Sequence, residues 1–183
     1  MLAGACLVAL AGCAGNGVQQ AATTGSGVPH DWSEVQKERL EQLLQGTSYA
    51  LSEVEGGWLI KISEQGTFTP HRPELLLPAA LGSIGQITRH LAQDQDVAVM
   101  VVGVATGNYK LKSKEQVSQE RAQSVASIFR LNRVPGHRLK TLGVSQGEQL
   151  DNQLGLALLV VPEQELHKRV AGGHTQVLAM LNR

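Results

Sequence analysis

DVAVMVVGVATGNYKLKSKEQVSQERAQSVASIFR, Asp96 to Arg130, reads as a buried strand, a polar loop and an amphipathic helix. Val97 to Val104 is an almost unbroken apolar and β-branched run, the pattern of a strand covered on both faces. Ser113 followed by Gln116 is a capping-box signal for a helix start. Val117, Val125, Ile128 and Phe129 then recur at helical spacing, and Arg121 falls four residues from both Val117 and Val125. An arginine therefore stands on or beside the core-facing stripe. Two readings of it are open: the stem lies along the helix edge while the guanidinium reaches water, or the fork is held at the mouth of the strand-loop-helix unit to grip a carboxylate in a bidentate way.

The segment Gly103-Val104-Ala105-Thr106, the loop, and then Lys114-x-x-Val117-Ser118-x-x-Arg121-Ala122-x-x-Val125 resembles the OmpA-like peptidoglycan-binding domain. That domain also occurs in peptidoglycan-associated lipoproteins and at the C-terminus of flagellar stator proteins. Its pattern is G-H-T-D, a loop, and N-x-x-L-S-x-x-R-A-x-x-V, and the spacing of that motif matches without a gap; the resemblance as a whole spans roughly Leu40 to Pro162. The resemblance implies an α+β fold with βαβαββ order, helices on a mixed sheet, preceded by a helix and a β-hairpin. It also implies a ligand, the diaminopimelate of peptidoglycan, held by an aspartate and an arginine because that ligand end carries both an ammonium and a carboxylate. Here Arg121 is present, the aspartate position is Thr106, the histidine is Val104 and the asparagine is Lys114. Losing one charged hydrogen-bond partner costs about 1.5 to 3 kcal/mol, roughly ten- to a hundredfold in affinity. The expected peptidoglycan site is thus Arg121, Thr106 and the loop residue Asn108, weakened, with Asn108, Glu115 or Glu120 as replacement acceptors.

Upstream, Met1 to Gly12 is a short apolar run that ends at Cys13, too short to span a bilayer and similar to a secretory signal. Leu10-Ala11-Gly12-Cys13 resembles a lipobox, which implies lipidation of Cys13, palmitate included, and an outer-membrane, periplasm-facing lipoprotein. Ordinary cleavage before Gly12 leaves Cys13 as a free thiol instead. No Lys or Arg precedes Lys37, which points to a start upstream of Met1. Residues 1–12 are read as signal, 13–30 as a Gly/Thr/Gln-rich tether, 31–162 as the domain and 163–183 as a helical tail. Removal of Cys6 with the signal leaves one cysteine, and so neither a disulfide nor a cysteine metal site.

Within the domain, Asp31 reads as the cap of a helix through Leu44 with Val35, Leu40, Leu43 and Leu44 inward, ended by Gly46. Tyr49 to Val54 and Trp58 to Ile62 form a hairpin around Gly56-Gly57. Phe68 to Leu75 has the spacing of the family's pocket-bordering F-x-x-x-S-x-x-L, with Pro70 and Pro73 in place of small polar residues. Leu77, Leu81, Ile84, Ile87 and Leu91 mark a second helix that tolerates Pro78 in its first turn. Arg138 to Gly143 is a strand, Gly147 to Asn152 a loop, and Gly155 to Val161 a last strand, apolar where relatives carry an arginine-rich edge. That apolarity calls for cover, and the tail offers Leu166, Val170, Val177, Leu178 and Leu181, either to dock on its own domain or, as the alternative, to bind a partner.

The formal net charge is zero, which gives no electrostatic case for nucleic acid or an anionic membrane. Aromatics are 3 % of the chain, so the core rests on Leu, Val, Ile and Ala, and a sugar-stacking platform is not expected. His30, His71, His90, His137, His167 and His174 show no metal-ligand spacing, and there is no nucleophile elbow. Neither an enzyme nor a cofactor is expected. Two functions remain: a lipoprotein that anchors the envelope through peptidoglycan, or a structural subunit of an envelope-spanning assembly such as a secretion or flagellar complex that has kept the scaffold and lost the ligand.

Overall fold

A computed structural model describes residues 30–145 and 150–182. Cys13, residues 13–29 of the tether and residues 147–149 of the Gly147–Asn152 loop lie outside the described residues. The chain runs α1 (His30–Leu44), β1 (Ala50–Val54), β2 (Gly57–Ser63), α2 (Pro78–Gln93), β3 (Val97–Val104), α3 (Lys114–Leu131), β4 (Leu139–Val144), β5 (Leu154–Pro162), α4 (Glu163–Ala171) and α5 (Gly173–Leu181). From β2 to β5 this is the expected βαβαββ order. The five strands form one mixed sheet in the order β1-β2-β5-β3-β4. β3 and β4 are parallel, whereas β5 is antiparallel to both β2 and β3.

The last strand is therefore central, which corrects its reading as an edge. All nine residues of β5 are buried, as are all eight of β3. Val97, Val99, Val101, Leu156, Leu158 and Val160 face a core shared with α1, α2 and α3. Ala98, Met100, Val102, Ala157, Leu159 and Val161 face a second core completed by Leu166, Val177, Met180 and Leu181 of α4 and α5. Continuous apolarity follows from helices on both faces.

The tail folds onto its own sheet. Arg169 of α4 is buried and donates to the Glu55 carbonyl in the β1–β2 turn. Val170 faces outward, contrary to expectation, because the α4 contact stripe runs through Leu166 and Arg169. Leu81 and Val35 are likewise exposed: α2 buries Ala80, Ile84, Ile87, Thr88 and Leu91, a face rotated away from Leu81, and α1 buries Gln36 where Val35 was expected to face inward. Gln36 is satisfied by Asp94 Oδ2 at 2.6 Å. Asp31 lies inside the first turn of α1 rather than ahead of it.

The seat of α3 decides the site. Gly103 and Gly143 are partners across the β3–β4 ladder. A Cβ on Gly103 would lie 2.0 Å from the Ser118 carbonyl oxygen and 2.7 Å from the Ala122 nitrogen, and one on Gly143 would lie 2.8 Å from the Gln119 nitrogen. Two strand glycines side by side thus form a trough that admits the helix backbone itself. Arg121 is carried on that sunken helix.

Candidate functional site

Ser113 caps α3, its Oγ accepting from the Gln116 N–H at 3.2 Å. The return half of the capping box is absent, since the Gln116 side chain donates to Glu120. The helix delivers Arg121 to the C-terminal end of β3 with 0 % exposure. Its Nε donates to the Pro73 carbonyl at 2.6 Å, and Nη1 donates to the Val104 carbonyl at 2.6 Å and to Glu64 Oε2 at 3.0 Å. Nη2 lies 2.7 Å from Glu64 Oε1, at ion-pair distance but out of line for a hydrogen bond. The guanidinium carbon sits 4.5 Å from the Phe68 ring centre and 5.4 Å from that of Tyr109. Both earlier readings of Arg121 need correction. It neither reaches water nor waits with an open fork, because Glu64 already takes the fork from two sides.

Sequence reasoning missed Glu64, and local geometry explains how it arrives. The β2–β5 register shifts between Ile62 and Ser63, which pair with Leu156 and Leu154, so Gly155 is skipped. At this bulge the backbone of Glu64 comes so close that a Cβ on Gly155 would lie 2.6 Å from the Glu64 Cα, while the Glu64 N–H donates to the Gln153 carbonyl at 2.6 Å. A bulge turns the strand end and re-aims its side chain. Glu64 leaves the sheet under Tyr109, whose hydroxyl lies 3.3 Å from Oε2. Burial raises the Tyr109 phenol above its usual pKa, with Arg121 opposing and Glu64 adding to the rise.

Above this buried base lies a cleft of about 670 Å³ between the 70–74 and 108–112 loops. Glu74 and Lys112 tie its walls together, with Lys112 Nζ 3.1 Å from Glu74 Oε1 and also paired with Glu120. Arg72 Nε is 3.5 Å from the same Glu74 oxygen. Glu74 Oε2 is buried with no hydrogen-bond partner among the described residues. Burial raises the Glu74 pKa, yet its own backbone N–H and then Lys112 and Arg72 outweigh burial and hold it below the usual glutamate value. A depressed carboxylate stabilises the fold above its unfolded pKa and loses that contribution as pH falls through the folded one. In urea unfolding, the advantage of the parent over Glu74→Gln is expected to be full near neutrality. It should shrink as pH falls through the ordinary glutamate range, and Lys112→Met, which raises only the folded-state pKa, should make the advantage smaller and end its loss at higher pH. A pH-independent difference would rule out this linkage.

The remaining expected site residues do not converge. Asn108 lines the cleft and is exposed. Thr106 is turned elsewhere, its hydroxyl 3.4 Å from the Asn152 carbonyl. Glu115 accepts from Ser145, and Glu120 pairs with Lys112, so neither replaces the missing aspartate beside Arg121. The carboxylate beside Arg121 is Glu64, from another strand. Among the described residues no cluster of His, Cys, Asp and Glu is arranged to hold a metal ion, and no helix is long and apolar enough to cross a membrane.

No protein-family model and no curated protein matches the chain. Solved structures do. A MotB-like protein from Desulfovibrio vulgaris superposes with a TM-score of 0.60 at 14 % identity, over 70 % of this chain and 95 % of that one. The periplasmic domain of MotB gives 0.58 at 11 % identity, over 79 % and 92 % of the two chains. The cell wall anchor of the T6SS from Pseudomonas aeruginosa gives 0.53 at 17 % identity, over 70 % and 93 %. At these identities the likeness is one of fold, and the fold is OmpA-like.

Proposed function

We propose that this protein is a non-enzymatic structural subunit of a cell-envelope assembly, a lipoprotein held at the periplasmic face of the outer membrane through Cys13. Support for the compartment comes from the Leu10-Ala11-Gly12-Cys13 segment and from structural neighbours described as a periplasmic domain and as a cell wall anchor. One observation carries the choice of role: the Arg121 fork, which a peptidoglycan carboxylate would need, is filled by Glu64 and sealed under Phe68, Tyr109 and Pro73. Glu64 takes Nη1 by a hydrogen bond and Nη2 at ion-pair distance, and the Pro73 and Val104 carbonyls take Nε and the rest of Nη1, so the charge is met within the domain. The scaffold is kept while its charge is spent internally.

Peptidoglycan anchoring is the second reading, and one observation favours it. The Glu64 side chain is 30 % exposed, so it can swing out and release the fork. Sedimentation with purified insoluble peptidoglycan separates the two. For a structural subunit, the parent and Arg121→Met both stay in the supernatant. A parent that pellets beside a folded Arg121→Met that does not, with folding checked by circular dichroism, establishes the anchor.

A further inference from the structure

The 108–112 loop combines features with no role in the domain's own packing. Leu111 is 91 % exposed, the most exposed large apolar side chain among the described residues. Lys110 and Lys112 flank it, and Arg72 stands on the opposite wall of the cleft with 68 % of its side chain open. Lys110, Lys112 and Arg72 meet Glu74 within the cleft and Glu120 beside it, so one cation, the exposed Lys110, stands in excess in a chain whose net charge is zero. Pro70, Pro73 and Tyr109 give it apolar walls.

The cleft is also stiff. Tyr109 is fixed from below by Glu64 and Arg121, while the Lys112–Glu74–Arg72 bridge sets the separation of the walls. An exposed leucine on a loop pinned in this way is preordered, so little entropy remains to be lost on binding. The Arg121 unit thus serves as the floor that shapes the cleft above it.

We infer that this cleft docks an acidic, extended segment of a partner protein, its carboxylates meeting Lys110 and the open face of Arg72 and an apolar side chain packing on Leu111 and Tyr109. Charge complementarity selects the sign of the partner, and a tyrosine and an arginine on facing walls are residue types enriched in protein hot spots. A glycan strand would offer Leu111 no apolar surface to match. A membrane is disfavoured by position. Trp32, in the first turn of α1, lies with Asp96, Pro162 and Glu163 at the opening end of β3, whereas the cleft stands beyond its closing end. The strand of eight residues separates them by about 26 Å. A domain tethered through the chain ahead of α1 carries the cleft at the end farther from its attachment, and the inference rests on the proposed lipid anchor for this point alone.

The test is fluorescence anisotropy of the full chain with a labelled ten-residue peptide of alternating Glu and Leu, beside its Lys-Leu counterpart. Phosphatidylglycerol vesicles and insoluble peptidoglycan serve as further arms. Expected are saturable binding of the Glu-Leu peptide that weakens with salt, none of the Lys-Leu peptide, and a loss of at least tenfold in Lys110→Glu/Leu111→Ser. Both of those side chains are exposed, so an unchanged melting temperature shows the fold intact. The inference is overturned if the Glu-Leu peptide fails to bind, if the double variant binds it equally, or if the same residues instead govern capture by vesicles or peptidoglycan. The Arg121 and Glu64 variants test the structural-subunit reading separately.

Discussion

Glu64→Ala lowers the stability of the domain by about 3 kcal/mol, at the low end of the 3–5 kcal/mol typical when one partner of a buried ion pair is removed. The fully buried Arg121 loses its counter-charge, and desolvation of an unpaired guanidinium is the dominant cost. The Pro73 and Val104 carbonyls and the Phe68 ring remain, and Glu64 itself is part-exposed, which keeps the loss at that end. For a domain of this size the melting temperature should fall by about 10 °C. Sodium acetate should restore part of it, because a small carboxylate that binds only the folded state stabilises by mass action. Sodium chloride at the same ionic strength should not. Glu64→Leu/Arg121→Met should recover much of the loss, since an apolar replacement removes the unpaired charge altogether. A melting temperature indifferent to Glu64→Ala, or a loss that acetate leaves untouched, would show that the fork does not depend on this carboxylate. The same variant should pellet with insoluble peptidoglycan more than the parent if a freed fork is all that a wall ligand lacks.

Gly103→Ala has an expected cost of about 3 kcal/mol, the upper end for an inserted methyl group, because the obstacle is backbone rather than a movable side chain. The new Cβ would lie 2.0 Å from the Ser118 carbonyl oxygen, so α3 must lift off the sheet and take Arg121 away from Val104 and Glu64. Gly85→Ala is the control. It stands within α2 with nothing within 4 Å of the added atom, and should stabilise by about 0.5–1 kcal/mol through helix propensity. Urea unfolding of both variants reads the contrast. A Gly103→Ala midpoint close to the parent's would mean that α3 is not held by close backbone approach.

How far these features can be read from the sequence depends on distance along the chain. The strand at Val97–Val104, the Ser113 cap and the inward placement of Arg121 are set within a few residues, where periodicity decides. Glu64 is 57 residues from Arg121. It stands in a Ser-Glu-Gln-Gly turn that looks solvated, and a bulge at Gly155, from a third segment, aims it. No local pattern contains that information. The apolar run of β5 was legible as buried but not as central, since an edge under a docked tail and a middle strand between two helical layers have the same composition. Val35, Leu81 and Val170 fit helical spacing, yet the stripe that meets the core is narrower than the arc that spacing allows. Thr106 held the family's register, but side-chain direction in a loop does not follow from register.

The position of β5 also governs how the chain can fold. It is the last strand to leave the ribosome and the one that joins β2 to β3. Until Pro162 is available the hairpin β1–β2 and the parallel pair β3–β4 are separate fragments, each with an open apolar flank. Pairing at such sequence separation is slow, because loop-closure entropy is lost before contacts repay it. Fragments ending before Leu154 should therefore populate no cooperative sheet. A polypeptide that stays unsealed until its final fifth emerges is one that can be threaded through a membrane before it locks.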